Sequence, residues 1–301
     1  MTVLPMIRAR WLALAAGLPV AFALIAFGVN SWVRAAVVHL VNAEQFVYPM
    51  SVSAPPSDGR AMVSVSNANV TVRPGPGQRI LVHGSVSGTG AQPVFQHQVT
   101  AAGLSLGARC PLPIGGCTLS AAIAVPAGLP VSVGTSLGNL NASNLHGTVA
   151  LSDNSGDLSA AGLSGTIRLA DSFGRLTASG LSGSIRLTVN SGDIIASRVT
   201  GDTRLADSFG EITVTGLAAA DVVASDQSGD ITLTFTRVPR QVQVTDSFGN
   251  VTLRLPPGRA AYRVRAATTF GRTTISVPRS PSAANVITVN NQSGDITIVT
   301  G

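Results

Sequence analysis

The chain is 301 residues long, 11% charged and 4% aromatic, and its 20 basic residues, all arginine, outnumber 14 acids for a net charge of +6. With no lysine, a P-loop and every other lysine-dependent mechanism is excluded. No dense basic patch interleaved with aromatics occurs, so nucleic acid is not an expected partner.

Residues 1–33 read as a short cytoplasmic tail and a transmembrane helix. Trp11 to Val33 carries no charge over 23 residues, and about 20 suffice to cross the hydrocarbon core. Arg8 and Arg10 precede this run and Arg34 follows it, which favours a cytoplasmic N-terminus and an extracytoplasmic remainder. Trp11 and Trp32 stand at its two ends, where indoles favour the membrane interface. A cleaved signal peptide is the alternative, but the apolar run is long for one. The expected location is the cell membrane, crossed once. Residues 34–60 come next as a juxtamembrane segment and linker, stiffened by Pro49, Pro55 and Pro56.

From Ala61 apolar residues alternate, with Val63, Val65, Val70, Val72, Ile80 and Val82 on one face and Pro74-Gly75-Pro76-Gly77 as a turn. Residues 61–135 repeat less regularly than residues 136–301. They read as irregular first coils and a cap, covering strand edges that would otherwise recruit other chains. Cys110 and Cys117 lie seven apart, a spacing that suits a disulfide in an oxidising compartment. Two reduced thiols are the alternative; a metal would need ligands that no nearby histidine supplies.

Residues 136–301 are regular. A glycine recurs every 18 residues at Gly138, Gly156, Gly174, Gly192 and Gly210, then at Gly229, Gly249, Gly271 and Gly294 with intervals of 19 to 23. A fixed period of this length marks a repeat architecture. Leu158, Leu163, Ile167 and Leu169 become Leu176, Leu181, Ile185 and Leu187 one period later. Coils hydrogen-bonded edge to edge about 4.8 Å apart would align such residues as apolar ladders. A second glycine series, Gly147, Gly165, Gly183 and Gly201, marks another corner. Each coil is therefore predicted to be two short strands in a flattened turn. The expected fold class is all-β: a single-chain β-solenoid of 18–23-residue coils preceded by one N-terminal transmembrane helix.

The recurrent turns from Ser155-Gly156-Asp157-Leu158 to Ser293-Gly294-Asp295-Ile296, the Ser-Phe-Gly variants between them, and the segments 67–84 and 110–133 resemble a known bacterial family. It consists of β-strand-repeat domains of unknown function named for adhesion, here of the membrane-anchored type seen in high-GC Gram-positive bacteria. The resemblance runs from Ala61 to Gly301. It implies a surface or envelope protein, and for some relatives a part in envelope stress. It brings no catalytic residues.

Several constellations invite a functional reading. Gly103-Leu104-Ser105-Leu106-Gly107 and Gly134-Thr135-Ser136-Leu137-Gly138 match the G-x-S-x-G elbow, but that motif needs a strand-to-helix turn and no helix is expected here. His39, His83, His97 and His146 have no metal spacing. Asp153, Asp171, Asp207, Asp226 and Asp246 recur at one corner; such a stack could offer oxygens to calcium, or each aspartate could cap its own turn. After the glycine, Asp157, Arg175, Asp193, Glu211, Asp230 and Asn250 alternate in part and could pair between coils. Arg168, Arg186 and Arg204 form an outward stripe able to hold an anionic polymer such as a teichoic acid, or a phospholipid headgroup. Phe173, Phe209, Phe248 and Phe270 alternate with serine and are expected to plug the corners from inside.

The expected function is non-catalytic: an extracytoplasmic surface module for adhesion, binding or scaffolding, with cell-wall polymer or another envelope protein as partner, and no metal or cofactor. A sensory or regulatory ectodomain in the envelope stress response is the alternative. A β-helical polysaccharide lyase or hydrolase would need a carboxylate pair that the sequence does not offer.

Overall fold

In a computed structural model, residues 45–89, 93–109 and 117–301 are described, and they form 24 β-strands. The expected transmembrane helix and Cys110 lie outside the described residues, as does the pairing of Cys110 with Cys117. No helix among the described residues is long and apolar enough to cross a membrane.

From Val131 to Thr300 the chain makes nine coils of two strands each. One coil shows the rule. Strand β12 (Ser164–Phe173) and the first half of β13 (Leu176–Ser191) run along opposite sides, joined at Gly174. Along β12, Ile167, Leu169 and Asp171 point inward and are buried, while Arg168 and Ala170 between them are exposed. This is the period-two alternation of a strand with one face on a core. Neighbouring coils pair in parallel and in register: Val149 with Ile167, Ile167 with Ile185, and Ile185 with Thr203. The result is two parallel sheets with their apolar ladders facing each other. The core is shared between coils, because no single coil could bury its inner face alone.

Both corners obey the glycine series. At the first, Gly174 has φ +156°, and a Cβ there would fall on the carbonyl oxygen of Gly156 in the adjacent coil. At the second, Gly183 has φ +119°, and its Cβ would meet Gly165 in the same way. Close approach of successive turns thus requires glycine at both places. The second corner also contains a left-handed residue absent from the two-corner expectation. Asn144, Gly162, Gly180, Arg198 and Gly216 occupy it with φ between +51° and +68°.

Both ends depart from simple sequential stacking. At the C-terminal end, β19 (Gln241–Phe248) pairs with β23 (Asn285–Ser293), and β23 pairs with β21 (Tyr262–Phe270). The last coil is therefore slotted between the two that precede it. Burial explains the order. The slotted coil supplies Ile287, Val289, Ile296 and Ile298, all fully buried, whereas in the displaced one Tyr262 alone is fully buried and Val264, Ala266, Ile275 and Val277 are partly so. Placing the more apolar coil inside removes more apolar surface from water. The outer coil carries Arg263, Arg265 and Arg272, all exposed, and charge on an open edge discourages other strands from adding to it. At the other end, β2 (Ala61–Val65) lies between β8 (Val131–Thr135) and β6 (Gly103–Arg109). Strand β3 (Ala68–Gly75) lies likewise between β9 (Leu140–Ser143) and β7 (Cys117–Pro126). Antiparallel strands close this end: β5 (Val94–Thr100) on β6, and β4 (Ile80–Thr89) then β1 (Gln45–Ala54) on β7.

Candidate functional site

Three residue ladders meet the requirements of a site, and each owes its place to coil register. The first is Arg168, Arg186 and Arg204, which face each other directly across adjacent strands. All three are exposed, and among the described residues they make no ion pair or hydrogen bond. Their flanks on the same face are short: Thr166 and Ser184 on one side, Ala170, Thr188 and Ala206 on the other, with Asp202 beside Arg204. Small neighbours leave the guanidiniums free to splay over a flat surface. Like charges about 4.8 Å apart lower their mutual repulsion by binding an anion.

The second ladder lies inside the first corner. Asp153, Asp171, Asp207, Asp226 and Asp246 are buried. One oxygen of each capping residue holds its own turn: Ser155 N–H donates to Asp153 Oδ1 at 3.2 Å, and Gln227 N–H to Asp226 Oδ1 at 2.7 Å. That is the turn-capping role. The other oxygen has no partner in Asp153, Asp207 and Asp226; in Asp171 and Asp246 neither oxygen reaches full hydrogen-bond geometry, and their own turn N–H groups, of Ser172 and Phe173 and of Ser247 and Phe248, lie near enough only to lower the pKa in part. Burial pushes the carboxyls of Asp171, Asp207 and Asp246 up to about 6, with the neighbouring ladder aspartate adding to the effect. Asp153 and Asp226 are also raised, again chiefly by burial. Among the described residues no group of three or more His, Cys, Asp or Glu side chains is placed to hold a metal ion.

Just outside the same corner, the residue after the glycine serves the backbone. Arg175 N–H donates to Asp157 Oδ1 at 3.0 Å, Glu211 N–H to Asp193 Oδ1 at 3.2 Å, and Asn250 N–H to Asp230 Oδ1 at 2.7 Å. Each side chain thus staples the next coil. The expected pairing of opposite charges occurs once along this row, between Arg175 and Asp193 at 3.5 Å.

The third ladder corrects an expectation. Phe173, Phe209, Phe248 and Phe270 are not corner plugs: they are 56%, 58%, 60% and 73% exposed. Strand alternation from Asp171 would put Phe173 inside, but the chain bends at this corner: Asp171 before the bend and Leu176 after it are buried, and Phe173, next to Gly174, is turned out. Leu137, 50% exposed, holds the same position in an earlier coil. No signal in the bare sequence separated an inward from an outward phenylalanine at a turn.

The model of the Toastrack DUF4097 family matches residues 62–299. No curated protein is matched. Among solved structures, a protein from Clostridium sporogenes ATCC 15579, provisionally named for cell adhesion, is similar over 84% of this chain and 100% of its own, with 10% identity and a TM-score of 0.21. The family match covers most of the chain and all of its regular coils, and the chain therefore belongs to the Toastrack DUF4097 family.

Proposed function

We propose that this protein is a non-catalytic surface module: a β-solenoid held outside the cytoplasm by the apolar segment Trp11–Val33, which binds anionic envelope polymer and serves as an adhesive scaffold. The observation that carries the reading is the register of Arg168, Arg186 and Arg204. Three exposed guanidiniums in a straight row, without acidic partners, present a linear positive field to a linear anion. A rigid sheet surface holds them there, so little ordering is required on binding. The apolar segment with its Arg8, Arg10 and Arg34 flanks supports the single-span anchor.

The test is binding of the 301-residue chain to purified teichoic acid, with Arg168, Arg186 and Arg204 replaced together by glutamine. Affinity should fall about tenfold or more, and its dependence on salt should weaken, since exposed charge pairs are screened over about 10 Å. Equal binding by the glutamine variant would remove the Arg ladder as the site. Altered stress-gene output on deletion, with no polymer binding by the wild type, would favour a regulatory ectodomain instead.

A further inference from the structure

The exposed phenylalanines form a more regular array than the sequence shows. In the spatial order of the coils, the residues before the corner glycine are Leu137, Ser155, Phe173, Ser191, Phe209, Ser228, Phe248, Ser293 and Phe270. Large and small alternate without a break. In the order of the sequence they do not, since Phe248 is followed by Phe270 and then Ser293. The slotting of the last coil restores the alternation: Phe248 pairs with Ser293, and Ser293 with Phe270. The result is a straight comb of five apolar side chains, one every second coil. Its repeat is about 9.6 Å and its length about 38 Å at the usual strand spacing.

A comb of exposed rings on a soluble surface removes apolar area from water when something covers it. The residues alongside identify what. Between the rings stand serines only: Ser155, Ser191, Ser228 and Ser293, each half-buried. Two residues on runs the outward acidic row. Among the described residues, Asp157 and Asp295 keep their second carboxylate oxygen free of protein partners, and Glu211 keeps both. Apolar rings at a fixed repeat, with hydroxyls and carboxylate acceptors beside them, match a polymer that alternates C–H faces with hydroxyl donors. An extended β-1,4-linked polysaccharide has this chemistry, and its repeating disaccharide has a length comparable with the ring spacing.

The charge of the row decides against other occupants. In a two-fold pairing of two combs each row would lie against its own copy, and the row holds Asp157, Asp193, Glu211, Asp230 and Asp295 against Arg175 and Arg272. The same acids repel anionic headgroups and anionic polymers. A neutral, hydroxyl-rich chain meets no such cost.

We propose that the corner comb of Leu137, Phe173, Phe209, Phe248 and Phe270 binds a neutral, extended β-1,4-linked polysaccharide, one disaccharide per apolar side chain, along the long axis of the solenoid. This site lies at a corner, apart from the Arg ladder on the sheet face, and stands whether or not that ladder binds anions.

The experiment is co-sedimentation of the 301-residue chain with chitin, cellulose, starch and polygalacturonate. Phe173, Phe209 and Phe248 are changed to serine, singly and together. Serine holds this position in the intervening coils, so the variants are expected to fold, which circular dichroism and thermal melting check. Wild type should bind chitin or cellulose but not starch, whose α-linkage curls the chain; any binding of the anionic polygalacturonate should belong to the Arg ladder and be unchanged by the phenylalanine substitutions. Each single change should weaken binding about two- to tenfold and the triple change more than tenfold. The Arg168, Arg186 and Arg204 glutamine variant should bind chitin or cellulose as wild type does. Absence of wild-type binding to both β-1,4 polymers, or equal binding by a folded triple variant, overturns the proposal. So does a triple variant that turns a dimer into a monomer in sedimentation velocity, or that loses binding to zwitterionic vesicles, since the comb would then cover a second copy or a membrane.

Discussion

The interior coils and the last two coils place different side chains at one ladder position, and the difference shows what that position requires. In the slotted last coil it is Asn291, whose Nδ2 donates to the carbonyl of Gly249 in the adjacent coil at 2.8 Å while its Oδ1 accepts from Ser293 N–H at 3.2 Å. In the outermost coil it is Thr268, whose hydroxyl donates to the carbonyl of Gly294 at 3.0 Å. In both, a donor reaches the neighbouring turn. In the interior coils Asp171, Asp207 and Asp226 direct Oδ2 into the same slot, about 3 Å from where a Cβ on their own corner glycine would stand, beside the carbonyl of the preceding glycine. An ionised carboxylate has no hydrogen to give there, and two acceptors face each other. A protonated one has. The carboxyls of the interior ladder, raised chiefly by burial, thus sit in a slot that calls for a donor and that their protonated form can serve.

The largest effect is expected from closing the slot itself. Gly174→Ala would put a methyl group onto the carbonyl of Gly156 and against Asp171 Oδ2, at a φ of +156°. Strain and overpacking together should destabilise the fold on the order of 4 kcal/mol. Gly258→Ala is the control. Its φ is +151°, but nothing lies within 4 Å, so it should lose only the backbone contribution, about 1 kcal/mol. Urea unfolding of the two variants measures the difference, and equal losses would show that the turn-to-turn approach does not matter.

Acidity should sharpen the comparison next. Asp171, Asp207 and Asp246 move from an ordinary 3.8 to about 6 on folding. A carboxyl raised in this way holds its proton more tightly folded than unfolded. Between about pH 4 and pH 6 the folded chain carries more protons, so stability is greatest near pH 4 and falls as pH rises through that window. Above it both states are ionised and the curve flattens. One isolated group with this change is worth about 3 kcal/mol, and stacked neighbours titrate as a set rather than singly. The expected loss from pH 4 to pH 7.5 is therefore about 3 kcal/mol, read from urea midpoints across the range. Stability that rises from pH 4 to pH 7.5 would contradict the buried, donor-seeking state of the ladder.

Exchanging the two solutions isolates the cause. Asp246→Asn copies what Asn291 does in the adjacent coil, and should stabilise the protein by about 1–2 kcal/mol at pH 7.5. At pH 4 the gain should vanish, because the acid can then donate as well. Asn291→Asp should do the reverse, with a loss at pH 7.5 that acid recovers. Chemical denaturation at the two pH values checks both. A gain for Asp246→Asn that is the same at both pH values would point to packing and away from the proton.

How much of this was legible beforehand depended on whether a residue's role was settled within a coil or between coils. The 18-residue period, the apolar ladders and the corner glycines came directly from the sequence, because each coil must repeat what its neighbour needs. The aspartates were seen at their corner and their capping oxygen was expected; the orphaned second oxygen was not, since it depends on the carbonyl of another turn. The phenylalanines were placed on the wrong side because the alternation that runs inward through Ile167, Leu169 and Asp171 ends at the bend before Gly174, and the turn sends Phe173 outward. The slotted last coil was the least visible. The glycine intervals of 22 and 23 around Gly271 and Gly294 lengthen the period without marking a change in coil order, and only the relative apolarity of Ile287, Val289, Ile296 and Ile298 bears on which coil belongs inside.

The smallest effect concerns the second corner, where coils differ as the ladder coils do, by one residue at one slot. Gly162, Gly180 and Gly216 adopt a left-handed conformation there, and Arg198 adopts it too, with φ +51°. A residue with a Cβ carries a steric cost in that region that glycine does not, about 1 kcal/mol. Glycine in turn loses more backbone freedom on folding, which offsets part of the gain. Arg198→Gly is therefore expected to stabilise by about 0.5 kcal/mol, independently of pH, since the Arg198 side chain forms no hydrogen bond or ion pair among the described residues. The same change at Asn144, φ +56°, should give less, because asparagine tolerates the left-handed region better than arginine does. Thermal melting of the two variants ranks them. A loss of stability on Arg198→Gly would mean that the arginine stem packs along the corner and contributes more than its backbone strain takes away.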